Sequence, residues 1–501
     1  MAQVCWNFRR FSCAVLDEVG IEVISMSAEG WPTSIADAGA GLRSGAFSVG
    51  AITRHFLNGI HLLQPELNAL IAVTEDLAIA TAATLDAELR NGIDRGELHG
   101  IPIVIKDDTD VAGYPTTVGS ALYKARGAER VPERDATAVA RLKAAGAVIL
   151  GKANMNEFAA GGKGGFNPHF GNTRNPWSLL HDPGGSSSGT GAAVAARLCL
   201  GGTGTDAGGS VRGPASRCGI VGIRPTYGRV SCRGTFPRCR SFGTVGPIAN
   251  RVADAAALLT AMAGHDPGDP NSLDLPQEDF AREMHRGIGG LRLGLVDGFS
   301  FEGLDPEVAE ALSNAVATFE MLGGQVKSVS APTFSKTLDP ARLAEIIFRE
   351  FADVLADEYD RADPSLFGEI VHRDMANAHD AVPGRYDRLV AERKQYRRDA
   401  AELFADVDCL LTPVFPGMHA DIDDPPDLSG DHRRFTVPVS YLGLPSVALP
   451  CGLSSNRLPI GMQIIGNWND ENLIVRVAAA FEASSGLQNE QPPILWTGPG
   501  L

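Results

Sequence analysis

Cysteine is scarce, at eight residues in a chain of 501 (Cys5, Cys13, Cys199, Cys218, Cys232, Cys239, Cys409 and Cys451). No pair forms a CxxC and none joins histidine in a zinc-type cluster, which excludes a disulfide scaffold and a structural zinc site. The thiols read as reduced packing groups and the compartment as cytoplasmic. Bases are also in deficit, 44 against 60 acids, and a net charge of −16 argues against nucleic acid or an anionic membrane as partner. Export signals are missing: after Arg9 and Arg10 the apolar run stops at Asp17 and Glu18, too short for a signal peptide. The longest charge-free stretch, 435–456, carries Pro438, Pro445 and Pro450, which would break a membrane helix repeatedly. No HExxH, Cys/His cluster or carboxylate metal loop occurs, so neither a metal nor a cofactor is expected. No repeat or proline-rich linker divides the chain. Residues 1–25 read as a loose, dispensable extension ahead of Met26, and 26–501 as one domain.

What the chain does have is glycine, 57 residues without a period, which points to loops where backbone must approach something closely. Apolar strand-like runs alternate with helical patterns. Thr74 to Gly92 predicts a helix, Gly100 to Ile105 a buried strand ending on Lys106, Asp135 to Ala145 a helix and Ala147 to Leu150 a strand. Lys152 to Ala160 predicts a further helical stretch. This alternation indicates an α/β fold with a largely parallel, doubly covered sheet. From Gly161 to Gly213 the composition turns to Gly, Ser, Thr and Asn, read as functional loop with one helical island, Ala192 to Leu200. Strands are expected near 291–296, 409–411 and 460–465, and a charged helical peripheral segment at about 340–405.

Three features carry chemistry. Lys106 ends a buried strand; Gly184-Gly185-Ser186-Ser187-Ser188-Gly189 is a serine cluster; Ser210 follows Gly208 and Gly209. Together they suit nucleophilic acyl transfer. A serine hydroxyl needs a base, and a lysine among Ile103, Val104 and Ile105 is a base when desolvation lowers its pKa. Glycines before Ser210 let backbone N–H groups converge on a developing oxyanion. Blander readings stand beside this one: a salt-bridged lysine, a flexible Gly-Ser loop. GxSxG at 185–189 would make Ser187 a nucleophile, but needs a strand immediately before it, where 175–183 reads as loop. No Lys-Ser or Lys-Thr follows Gly189, so a phosphate loop fails. His169 and His181 leave a Ser-His-Asp triad open. Asp206 and Arg212 read as an ion pair shaping the loop, and Ser187 and Ser188 as supporting or helix-capping groups.

Residues 184–215, GGSSSGTGAAVAARLCLGGTGTDAGGSVRGPA, resemble the signature of the amidase signature family over its whole length. The similarity extends to GIPIVIKDDTDVAG (100–113), GKANMNEF (151–158), GIVGIRPTYGRVS (219–231), VGPIANRVAD (245–254) and LPIGMQIIG (458–466). The resemblance implies a single α/β/α domain around a large mixed, mostly parallel sheet covered by helices. It implies Lys106 as catalytic lysine, Ser186 as bridging serine on a cis peptide bond and Ser210 as nucleophile. It places the oxyanion hole at the N–H groups of Ala207, Gly208, Gly209 and Ser210.

Within the family, PGGSSSGTGAA and NEFAAGGKGGFNPHFGNTRNP resemble the indoleacetamide and mandelamide hydrolases. That implies a serine hydrolase of small, aryl-containing amides, extending to anilides, carbamates or esters if the glycine-rich wall 161–165 is open. The partners expected are a small-molecule amide, no nucleic acid and no membrane, with a homodimer left open. The alternatives are the glutaminase (A) subunit of a tRNA-dependent amidotransferase and a non-catalytic binding protein on the same scaffold.

Overall fold

The computed structural model describes residues 30–498, apart from 338–339, 380–381 and 425–430. The expected N-terminal extension, 1–25, lies outside the described residues. Eleven strands form one sheet: β1 (Leu70–Val73), β2 (Pro102–Lys106), β3 (Val148–Ala153), β4 (Gly201–Asp206), β5 (Val221–Arg224), β6 (Thr244–Ala249), β7 (Arg292–Val296), β8 (Gln325–Val329), β9 (Cys409–Pro413), β10 (Ser446–Leu453) and β11 (Pro459–Gly466). Their order is β1-β3-β2-β4-β6-β5-β10-β11-β9-β7-β8. Parallel pairing holds β3, β2 and β4 together, and again β9, β7 and β8. The run from β4 through β6, β5, β10 and β11 to β9, and the β1–β3 edge, are antiparallel. The sheet is the expected large mixed one, but it is not mostly parallel: four of its ten pairings are parallel, confined to two flanks. The reason is that β10 and β11 follow one another across a short connection and pair, like their neighbours at the centre, antiparallel.

The two faces can be told apart on β4. Adjacent strand residues point to opposite faces. A Cβ on Gly201 would meet Leu258 of the helix Val252–Met262, and one on Gly202 would meet Thr190 of the helix Ser188–Ala195. Those helices therefore cover opposite faces of the same strand. The core of the sheet is aliphatic: Ile103, Val104 and Ile105 of β2 and Val148, Ile149 and Leu150 of β3 are all buried.

β4 is where sequence reading fails most clearly. Its residues, Gly-Gly-Thr-Gly-Thr-Asp, lack the β-branched apolar side chains that signal a strand and read as loop. They form a strand because the neighbours come too close for anything larger. A Cβ at Gly202 would sit 2.6 Å from the Val104 carbonyl oxygen, and one at Gly204 would sit 2.7 Å from Ser187 Oγ. The expected helix at 152–160 is instead the end of β3 followed by a single turn, Glu157–Ala159. The expected island at 192–200 starts earlier, at Ser188, and ends at Ala195. The 340–405 segment contains the helices Pro340–Tyr359, Glu369–His379 and Arg385–Ala401. Among the described residues no helix is long and apolar enough to cross a membrane.

The close approach at β4 gives a stability test. Gly202→Ala should destabilise the protein by about 2–3 kcal/mol, because the clash is with backbone that cannot swing away. Chemical denaturation reads this directly, and an unchanged midpoint would contradict the packing described.

Candidate active site

β2 ends on Lys106, whose side chain is fully buried. Its Nζ lies 2.8 Å from Ser186 Oγ, donates to Thr205 Oγ1 at 2.6 Å, and lies 3.2 Å from Asp108 Oδ2. Thr205 Oγ1 donates in turn to Asp108 Oδ2 at 2.6 Å. The intervening Asp107 faces away, paired to the buried Lys152 at 3.0 Å. Burial lowers the pKa of the Lys106 ammonium, with the Asp108 and Asp206 carboxylates opposing that shift and the Arg238 guanidinium adding to it. The Gly185–Ser186 peptide bond is cis.

The second half of the site is the turn after β4. Burial alone would raise the Asp206 carboxyl, but Arg212, Arg224 and the Gly209 N–H outweigh it and hold the group far below the usual carboxylate range. Its oxygens accept from Gly209 N at 2.8 Å, Val211 N at 3.2 Å, Arg212 Nε and Nη2 at 3.0 Å each, and Arg224 Nη1 at 3.1 Å. Arg212 also donates to Gln463 Oε1 at 2.9 Å and Ser440 Oγ at 2.7 Å. Asp206 and Arg212 thus form a buried pair that shapes the loop. Gly209, at φ 117°, has no room for a Cβ, which would fall 2.7 Å from Thr436 Oγ1.

Lys106 and Ser186 come together directly. Ser210, half-buried, faces with Ser186 into one cavity of about 670 Å³. Ala207, Gly208 and Gly209 line the same cavity, as do Thr205 and Asp108. Leu343, Ile347 and Phe348 of the 340–359 helix form part of its apolar wall. Gly209's N–H is committed to Asp206, which leaves Ala207, Gly208 and Ser210 as the N–H groups that could face an oxyanion. Ser187 is fully buried off the cavity, its Oγ accepting from Thr205 N at 3.3 Å. It precedes the helix at 188 without capping it, and the residues before it form no strand, so the GxSxG context is missing. His169 pairs with Glu157 and His181 with Ser178; neither lines the cavity.

The glycine-rich wall 161–165 is closely packed, not open. A Cβ on Gly164 would sit 2.3 Å from the Gly184 carbonyl carbon, and one on Gly165 would sit 2.6 Å from the Thr173 carbonyl oxygen. Lys163 Nζ is fixed by the Asp421 and Asp424 carbonyl oxygens, and Asn156 Nδ2 donates to the Lys163 carbonyl at 2.7 Å. Sequence reasoning misses Asp108 and Thr205. The only signal for Asp108 is its place two residues after the lysine. Among the described residues no group of three or more His, Cys, Asp or Glu is placed to hold a metal ion.

The family model for Amidase matches residues 51–475. The (A) subunit of the glutamyl-tRNA(Gln) amidotransferase of Geobacter metallireducens is 39% identical over 88% of this chain and 95% of that protein. A solved structure described as an unexpected vestigial protein complex, revealing the origins of an s-triazine catabolic enzyme, superposes with TM-score 0.84 at 31% identity, over 90% of this chain and 98% of its own. The peptide amidase of Stenotrophomonas maltophilia does so with TM-score 0.80 at 31% identity, over 92% and 98%.

These findings overturn two expectations. The curated relatives that match nearly end to end are amidotransferase subunits, against the expected hydrolase of small aryl amides. Their name carries a tRNA, and they are parts of an assembly, against small-molecule partners alone and no nucleic acid. The physical reason is visible in the site. Of the two stretches that pointed to the arylacetamide branch, the first has Ser187 and Ser188 fully buried and off the cavity, where they report packing. The second reaches the cavity mainly through alanine and glycine, which carry no aryl-specific contact. Net charge likewise describes what this chain attracts by itself, and says nothing of what a partner subunit binds. Fold, match and site agree: the chain is an enzyme of the amidase signature family, acting on C–N amide bonds.

Proposed function

We propose that this chain is the glutaminase (A) subunit of a tRNA-dependent amidotransferase, releasing ammonia from the side-chain amide of glutamine for use by a partner subunit. The observation that carries this reading is the match to amidotransferase (A) subunits over nearly their full length. The cavity supports it. Lys163 and Arg217 stand among its lining residues with Asp182 and Asp424, and although Lys163, Arg217 and Asp182 are held by backbone bonds, they give the cavity a more polar lining than an arylacetamide needs. Assembly with a partner agrees with the structural neighbour that is itself a protein complex.

In the reaction so inferred, Ser210 Oγ attacks the amide carbonyl and passes its proton to Ser186 Oγ, whose own proton passes to neutral Lys106 Nζ. The N–H groups of Ala207, Gly208 and Ser210 stabilise the oxyanion. The proton returns through Ser186 to the amide nitrogen, which leaves as ammonia. Water, deprotonated along the same path, opens the acyl-enzyme to glutamate. Because only the neutral amine is a base, turnover rises with pH through the lowered Lys106 pKa and then levels off.

Two outcomes are expected. A fluorophosphonate should label Ser210, and Ser210→Ala should lose about a thousandfold or more of turnover, as should Ser186→Ala and Lys106→Ala, with non-additive losses in combination. Ser187→Ala should cost far less, and an adduct mapped to Ser187 with Ser210→Ala still active would defeat the assignment. Glutamine should be hydrolysed, and the rate should rise when a co-purified partner subunit is present. Rapid turnover of arylacetamides by the isolated chain, with none of glutamine in any assembly, would reject the subunit reading.

A further inference from the structure

The buried lysine has three polar neighbours, and their hydrogen-bond directions are constrained. A threonine hydroxyl has one proton. Thr205 gives its proton to Asp108 Oδ2 at 2.6 Å, so toward Lys106 Nζ, 2.6 Å away, it can only accept. Asp108 Oδ2, 3.2 Å from Nζ and nearly as buried, is likewise an acceptor. A neutral amine has two N–H bonds and one lone pair. Thr205 and Asp108 take the two N–H bonds, and the remaining direction, at 2.8 Å, is Ser186 Oγ.

We propose that Asp108 is a positioning residue of the relay: with Thr205 it engages both N–H bonds of the neutral Lys106 amine and turns the lone pair onto Ser186 Oγ. This rests on Lys106 being the general base of the proposed reaction. The Asp108 carboxylate meets Thr205 and Lys106 rather than Ser186 or Ser210, so it acts through the lysine. The same carboxylate also favours the ammonium and so raises the amine's pKa, which means that orientation comes at the expense of the neutral fraction of Lys106 at a given pH.

The other charges around the pair do not replace Asp108. Asp206 is engaged by Arg212 and Arg224, and Asp107 by Lys152. Arg238, which disfavours the ammonium, is paired with Asp374. The Cys232 thiol near Asp108 is pushed up to about 12 by burial and stays protonated. Removing the Asp108 charge therefore leaves the burial of Lys106 opposed only by a carboxylate already neutralised elsewhere.

The test is the pH dependence of Ser210 labelling by a fluorophosphonate, which needs no knowledge of the natural substrate. Asp108→Asn fills the same volume and keeps an acceptor for Thr205, but carries no charge. Its acidic limb should move toward lower pH by about one unit or more, while the alkaline plateau stays within about tenfold of the parent. Asp108→Glu, which restores the charge, should keep the limb at the parent's position. Asp108→Ser gives the same reading as Asn, with a shift in the same direction, should the Asn variant not fold. An unmoved limb in the uncharged variants, or an equal shift in Asn and Glu variants, overturns the proposal. Lys106→Ala labelled at the parental rate would instead remove the general base, and the reading beneath the proposal with it.

Discussion

The site depends on one buried carboxylate. Asp206 stands at the end of β4, out of water, between two guanidinium groups that reach it from different parts of the chain. Arg212 opens the helix Arg212–Cys218 that follows the Ser210 turn, and Arg224 ends β5. Through Arg212 the same cluster reaches Gln463 on β11 and Ser440, and through Arg224 it reaches the Phe242 carbonyl oxygen. A buried ion cluster of this kind stabilises little in total, but breaking it leaves charge uncompensated, typically at about 3–5 kcal/mol. Its contribution is geometric: it fixes the backbone of Gly209 and Val211, and hence Ser210 between them, to the middle of the sheet.

The two halves of the site reach each other for a topological reason. β2 and β4 are parallel neighbours, so Lys106 and the Ser210 turn both emerge at the same end of the sheet. The helix Ser188–Ala195 lies over both strands and carries Ser186 just before its start. Small residues make this possible, because Gly202 and Gly204 let that helix and its N-terminal serines settle onto the strand.

Much of this is legible in the sequence, and the limits have physical causes. A lysine closing an Ile-Val-Ile strand is readable because a buried strand declares itself in aliphatic side chains. The turn holding Ser210 is readable from its glycines and from the long signature. β4 is not, since close backbone approach removes the side chains that advertise a strand. The residues from Lys152 onward mislead in the opposite sense, their helix-forming side chains being overridden by pairing with β1 and β2. Asp108 escapes notice because adjacent carboxylates look alike in one dimension, and only the fold turns one to Lys106 and the other to Lys152. Substrate class is misread because Ser187 and Ser188 sit inside the protein and the 156–164 stretch lines the cavity mostly with alanine and glycine.

The wall formed by residues 161–165 has a further consequence for how such an enzyme changes its diet. Gly164 and Gly165 meet Gly184, Thr173 and Pro183 with no side chain between them, directly behind the cis bond at Ser186. A substitution there disturbs the relay before it reshapes the cavity, so adaptation to a new amide has little to select from on that side. The 340–359 helix touches the cavity through the ends of Leu343, Ile347 and Phe348, which can be lengthened or trimmed one at a time. Divergence in substrate is thereby directed to one wall of the cavity, while the other is held to a single shape by the chemistry it supports.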